Sequence, residues 1–169
     1  MSILNDILGS FRLGKELAAG ESEPFFDALI AETDEILLAD VLTAWEEKGT
    51  TEDEFFALAS IMRKRCIRVI TKHDTFVDAV GTGGSKAKTF NVSTAAAFVA
   101  SGDGVPVAKH GNRAATSNSG SADVLAALGV NMSVDAAKAG ECLDEIGICF
   151  MFAPHFHSLS PTLAKVRRG

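Results

Sequence analysis

Residues 75–94 read TFVDAVGTGGSKAKTFNVST: a short apolar run, a glycine-rich turn from Gly81, and a polar approach to a helix start at Ser93 and Thr94. A short apolar run, a turn and then a longer helical stretch is the pattern of a βα unit in a parallel sheet. The pattern recurs twice. Residues 105–108 run into Lys109-His-Gly-Asn-Arg, and residues 148–152 run into Ala153-Pro-His-Phe-His. The spacing therefore predicts three parallel strands, at 75–80, 105–108 and 148–152, with helices over 93–101, 121–128 and 134–145. A last helical stretch arrives at 158–168. Three strands make a thin sheet, so the chain reads as apparently truncated. Further strands are expected from a C-terminal part or a second copy, because an open parallel edge invites aggregation.

Working back from residue 75, the texture changes. Residues 1–72 carry fourteen acids, eight bases and four glycines, against eight, eight and eleven for residues 73–169. The first part reads as a small all-α unit of at least two and up to four helices. Thr51 and Glu54 have capping-box spacing, and Phe55, Leu58, Ala59, Met62, Cys66 and Ile70 follow at helical intervals. Before them, Leu37, Leu38, Val41, Leu42 and Trp45 form a second amphipathic run, stopped by Gly49. The expected organisation is a helical domain over 1–72 and an α/β domain over 73–169.

The whole chain has 169 residues, 47% hydrophobic and 22% charged, which excludes a disordered, collagenous or coiled-coil protein. A net charge of −6 has the wrong sign for holding nucleic acid through its phosphates. Three cysteines, Cys66, Cys142 and Cys149, lie far apart in apolar stretches and read as buried thiols in a reducing compartment. No signal-peptide core and no run of 18 apolar residues is present, so a cytoplasmic protein without a membrane partner is expected.

The chemistry sits in the loops after the strands. Gly81, Thr82, Gly83 and Gly84 let backbone approach an anion, and Ser93 or Thr94 at a helix start adds hydroxyl and amide donors where the helix dipole favours negative charge. Neither the Walker nor the dinucleotide template fits, since Lys86 stands where the latter needs glycine. A glycine-rich turn before a capped helix explains the same residues. The second loop, from Lys109 to Asp123, gathers lysine, histidine, asparagine, arginine and several hydroxyls at a strand's carboxyl end, where open α/β sheets bind ligands. A polyanion suits it. A solvated loop with Ser119 or Ser121 capping the next helix accounts for the serines alone. In the third loop, His155 and His157 would share a face on a strand, but no Cys, Asp or Glu lies within five residues to complete a zinc set. Hydrogen bonding or packing is the expected use of these histidines.

Taken in order, Asp78-Ala-Val-Gly-Thr-Gly-Gly, Thr89-Phe-Asn-Val-Ser-Thr, Lys109-His-Gly-Asn-Arg, Ser119-Gly-Ser-Ala-Asp-Val-Leu, Phe152-Ala-Pro with His157, and Val166-Arg-Arg resemble the anthranilate phosphoribosyltransferases of tryptophan biosynthesis. The resemblance covers nearly all of this chain and about the first half of a usual family member. It implies a nucleoside phosphorylase class II type fold, a small helical domain joined to an α/β domain, and a homodimer through the helical domain. The implied reaction moves the phosphoribosyl group from phosphoribosyl pyrophosphate to the amine of anthranilate, with magnesium. By position, Gly81, Gly84, Ser85, Thr89, Asn91, Val92, Ser93 and Thr94 would hold phosphoribosyl pyrophosphate. So would Lys109, His110, Gly111, Asn112, Arg113, Ala114, Ala115, Thr116, Ser117 and Ser121. Ser93 would also be a magnesium ligand. Gly81, Asn112 and Arg167 would meet anthranilate, and Lys109, His110 and Asn112 would stabilise and orient the reacting groups. Ser85 replaces the family's usual Asp, and Ser158 and Lys165 depart from its usual residues, so a different aromatic amine is an alternative acceptor. A non-catalytic phosphate-binding or regulatory module is the alternative of another class. The family's second magnesium pair lies beyond this stretch, so the 169 residues alone are expected to be incomplete for catalysis.

Overall fold

The computed structural model describes residues 2–18, 20–81, 90–114, 119–157 and 159–166. The chain divides into two compact units, Met1–Cys66 with Ser158–Gly169, and Ile67–His157.

In the first unit, α1 (Ile3–Arg12) begins where the Ser2 hydroxyl accepts from Asn5 N, and it buries Leu4, Ile7, Leu8 and Phe11, one helical stripe. It packs with α2 (Ser22–Ala31) and α3 (Glu35–Lys48). Asp34 caps α3 by accepting from Ile36 N and Leu37 N, and Gly49 at φ 84° ends it. Phe11, Phe25 and Trp45 form the aromatic centre, Phe11 stacked on Trp45 at 6.1 Å and Phe25 edge-on to both. The helix α4 (Glu52–Arg65) has the capping box expected of Thr51 and Glu54. Its apolar stripe is not the expected one. Phe55 is 67% exposed, the helix stops before Cys66, and Leu58 is the stripe residue that packs on the core of this unit.

The group that anchors α4 is charged. Glu54 is 4% exposed, and its carboxylate accepts from Leu17 N at 2.9 Å, Trp45 Nε1 at 2.9 Å, Thr51 N at 3.1 Å and Lys48 Nζ at 2.8 Å. Burial alone would raise its pKa. The Lys48, Trp45, Leu17 and Thr51 donors outweigh that and bring it down to about 2. A short α9 (Pro161–Val166) closes the unit, Leu163 entering the core and Lys165 pairing with Glu35 at 2.6 Å.

In the second unit, β1 (Val107–Gly111) and β2 (Ile148–Phe152) pair in parallel with Val107 opposite Ile148. They are packed by α5 (Val92–Gly102), α6 (Ser121–Ala127) and α7 (Ala136–Ile146), with the four-residue α8 (Ala153–Phe156) after β2. One core cluster joins Ala108, Ala139, Leu143, Cys149 and Phe156, another Ala122, Leu125 and Phe150. Of the thiols, Cys149 is buried and Cys66 and Cys142 are half-buried, so the expectation of three buried cysteines holds for one.

The strand expected at 148–152 has those bounds. The second lies at Val107–Gly111 rather than 105–108, because Val105 N closes the turn out of α5 onto Ala100 O and Pro106 has no N–H to give. The first, at 75–80, reduces to one parallel bridge between Val77 and Val107. Ala108 N reaches Val77 O at 2.9 Å, and a continued ladder would join Ala79 N to Ala108 O and then His110 N to Ala79 O. Instead the Asp78 carboxylate takes His110 N, and Lys109 Nζ takes Ala79 O. Side chains interrupt the sheet at the place where the site begins.

Candidate active site

Lys109 is the centre of the cluster at the carboxyl end of β1. It is 3% exposed, and its Nζ lies 2.6 Å from Ala79 O and 3.5 Å from Ser93 Oγ. Burial pushes its pKa below the ordinary lysine value, and nearby Asp78 opposes that shift. Among the described residues no carboxylate oxygen lies within ion-pair distance of Nζ.

Ser93 and Thr94 stand in the first turn of α5, whose start has no side-chain cap. Asn91 would be the capping residue, but its amide donates to Ser119 Oγ at 3.3 Å and Gly120 O at 3.5 Å. Thr94 Oγ1 is buried without a hydrogen-bond partner among the described residues. Val92 N and Thr94 N donate to Phe90 O and Asn91 O, so among the described residues the turn keeps the Ser93 N–H and the Thr94 hydroxyl beside a buried ammonium, an arrangement that favours an anion. Val92 and Gly81 are exposed.

After Lys109 the chain is held against α6. A Cβ on Gly111 would lie 2.2 Å from Ser121 Oγ, so only glycine lets the helix start sit on the strand end. Asn112 O accepts from Ala122 N, and its side-chain Oδ1 accepts from Arg113 N. Asp123 draws the loop together, accepting from Ala114 N at 2.9 Å, Gly120 N at 2.8 Å and Arg113 Nη1 at 3.2 Å. Those donors hold its pKa below the usual carboxylate range, with Ala114 and Gly120 contributing most. The helix is thus capped at Gly120 through Asp123 rather than by Ser119 or Ser121.

His110 has its N–H on Asp78 Oδ1 at 3.0 Å and its ring against His157. His155 packs edge-on to Phe152, so the two third-loop histidines have separate partners. An apolar cavity of about 420 Å³ also borders Lys109, lined by Ala97, Phe98, Leu125, Cys142 and Phe150 among others. Its walls suit hydrocarbon, not phosphate.

The structure therefore joins Lys109 to Ser93, and gathers Asn91, Asn112, Arg113, Ala114 and Ser121 around residues 119–123. Gly84, Ser85, Thr89, Ala115, Thr116, Ser117 and Arg167 lie outside the described residues. Sequence reasoning assigned no role to Asp78, Ala79, Gly120 or Asp123; for His157 it expected hydrogen bonding or packing, and the ring has its polar contact on His110. For Asp123 a signal existed in its position three residues after a helix N-cap; for His157 nothing in the sequence named His110 as the partner. No group of three or more His, Cys, Asp or Glu that could hold a metal occurs among the described residues.

Residues 73–169 match the glycosyl transferase family, a/b domain. The chain belongs to the glycosyl transferase family. Its α/β part, with Lys109, Ser93 and Asp123, is the part that matches. An anthranilate phosphoribosyltransferase of Anaeromyxobacter sp. (strain K) is 54% identical over 127 residues, 75% of this chain and 38% of the relative. Among solved structures, the anthranilate phosphoribosyltransferase of Thermus thermophilus has a TM-score of 0.78 at 38% identity, covering 95% of this chain and 50% of that one. The Saccharomyces cerevisiae enzyme, solved in complex with PRPP and Mg, has a TM-score of 0.77 at 28% identity over 98% of this chain and 50% of that one. The chain thus spans half or less of the length of these family members.

Proposed function

We propose that this chain carries the phosphoribosyl-pyrophosphate-binding part of an anthranilate phosphoribosyltransferase. The observation that carries the reading is Lys109, a buried ammonium with only neutral oxygens for partners, beside the uncapped first turn of α5. A diphosphate supplies the missing negative charge. As the bond from the ribosyl carbon to pyrophosphate breaks, charge gathers on the leaving oxygens. Lys109, the Ser93 and Thr94 hydroxyls and the Ser93 N–H, held in advance by the fold, stabilise that charge. His110 and Asn112 orient the donor, and Gly81, Asn112 and Arg167 are assigned to anthranilate, whose amine attacks the ribosyl carbon.

The residues present fit magnesium as a companion of the diphosphate. Ser93 offers one hydroxyl oxygen, close to the Lys109 ammonium, and Thr94 Oγ1 is unspent in the same turn. Magnesium takes most of its remaining ligands from water and substrate phosphate, and would neutralise part of the leaving charge. We assign the helical domain to 1–72 and the α/β domain to 73–169, and the exposed Ile36, Phe55 and Phe56 of the helical part support a homodimer through it. Among the described residues no helix is long and apolar enough to cross a membrane, and a cytoplasmic location accords with the reduced thiols.

Calorimetry of phosphoribosyl pyrophosphate with this chain, with and without magnesium, tests the reading. Binding is expected, weakened roughly tenfold to a hundredfold in Lys109→Ala, the worth of a charge-assisted contact. Binding of equal strength in Lys109→Ala would refute the site.

A further inference from the structure

One polar contact in the second unit pairs a residue of the proposed site with one outside it. His157, just after α8, brings its Nε2 to 3.0 Å from Nε2 of His110, the rings edge-to-face with centroids 4.9 Å apart. Two protonated Nε2 atoms would oppose two hydrogens, and two bare ones would oppose two lone pairs, so one ring donates and the other accepts. Burial first, and the neighbouring His110 second, hold the His157 pKa below the ordinary 6.5. His157 thus resists a second ring proton, which suits its Nε2 to accepting.

We propose that His157 is a positioning residue for His110, accepting the His110 Nε2 proton on its own Nε2 and so holding His110 in one tautomer at the carboxyl end of β1. His110 is then fixed at two points, its backbone N–H on Asp78 and its ring on His157. With Nε2 carrying the proton, the neutral ring has Nδ1 as its acceptor nitrogen. The charged and titratable groups around the pair are Asp78, bound to the His110 backbone, Lys109, next on β1 with Nζ on Ala79 O, and His155, packed on Phe152. Among the contacts described, none of these supplies a side-chain partner to either ring, so the two imidazoles set each other's state. The contact itself is a property of the free chain; its bearing on catalysis rests on the function proposed above.

Long-range proton–nitrogen NMR of the histidine-labelled, ligand-free chain at about pH 7.5, above the usual histidine range, reads the proton on each ring nitrogen. His110 is expected with Nε2 protonated and His157 with Nδ1 protonated. In His157→Phe, which removes the acceptor, His110 should pass to a mixture of tautomers; in His157→Gln, whose amide oxygen can accept, the Nε2 form should return. His110→Asn should raise the His157 titration midpoint. A His110 tautomer unchanged in His157→Phe, or a His157 midpoint unmoved in His110→Asn, overturns the proposal. Where His157→Phe fails to fold, judged from the β1 and β2 amide signals, the His157→Gln and His110→Asn outcomes decide it. No substrate is present in this experiment, so a failure to bind phosphoribosyl pyrophosphate would sink the functional reading and leave the histidine result standing, and the reverse holds equally.

Discussion

Glu54→Gln in the helical unit should destabilise the chain by an amount that depends on pH. Glu54 moves from an ordinary pKa of 4.5 to about 2 on folding. At roughly 1.4 kcal/mol per pH unit, that difference is on the order of 3 kcal/mol of stability at neutral pH. The sign is set by the depressed folded value. The contribution is complete above the unfolded pKa and is lost as pH falls through the folded pKa of about 2. Glutamine keeps the shape but leaves the Lys48 ammonium, 2% exposed, without its counter-charge. Urea unfolding suits the measurement because the chain has one tryptophan, and that residue, Trp45, donates to Glu54. With a slope of about 2 kcal/mol/M, the midpoint should drop by roughly 1.5 M at neutral pH. The gap between the two proteins should narrow steadily from pH 5 toward pH 2, where the native carboxylate is itself protonated. Equal midpoints at neutral pH, or a gap that does not change with pH, would refute the assignment of this cluster as a charged anchor.

Three further outcomes follow from close contacts. Gly120→Ala would place a Cβ 2.4–2.6 Å from backbone atoms of Asn112, Arg113 and Ala114, so it should cost about 1–3 kcal/mol in thermal unfolding and weaken phosphoribosyl pyrophosphate binding in calorimetry; unchanged affinity would mean that residues 112–120 do not shape the site. Gly140→Ala would set a Cβ 2.1 Å from Ile70 O and should lift the 70–73 segment from α7; exchange of the Lys72 amide, now held by Asp144 at 3.0 Å, should speed up, and unaltered exchange would count against that packing. Cys149, pushed up to about 11 by burial first and by Cys142 and Asp78 after it, should remain unmodified by an alkylating reagent near pH 8, where on the order of one thiol in a thousand is ionised; rapid labelling in mass spectrometry would contradict its burial.

What could be read from the chain beforehand follows the range of the signal. Thr51 with Glu54, Gly49 and the apolar run at 148–152 are local patterns with local causes, and each stands where it is expected. The stripe from Phe55 to Ile70 has helical spacing too, but periodicity assumes that the apolar face turns inward. Here the carboxylate of Glu54, satisfied by partners from 6 to 37 residues away as well as by its own capping box, turns inward instead. The strand expected at 75–80 is cut short for a related reason, since its ladder bonds are taken by the side chains of Asp78 and Lys109. Within the site, density of polar residues marks the loops. It cannot pair Lys109 with Ser93, 16 residues away, or His110 with His157, 47 residues away.

Two buried lysines divide the work of the chain. Lys48 lies with its ammonium on the Glu54 carboxylate at 2.8 Å, on Gly49 O and over the Phe11 ring, so its charge is neutralised within the fold. Such a pair holds helices in register, and it has no use for a ligand. Lys109 is as deeply buried, yet its partners are a carbonyl and a distant hydroxyl, and the one carboxylate nearby, Asp78, has an oxygen committed to the His110 amide. Its charge is the costlier of the two to keep, and burial drives its pKa down accordingly. In the function proposed above, the diphosphate arriving from outside removes that cost. The same residue type, its side chain equally hidden, is structural where the chain supplies the counter-charge and, in the function proposed, meets the diphosphate where it does not; both look alike as letters in the sequence.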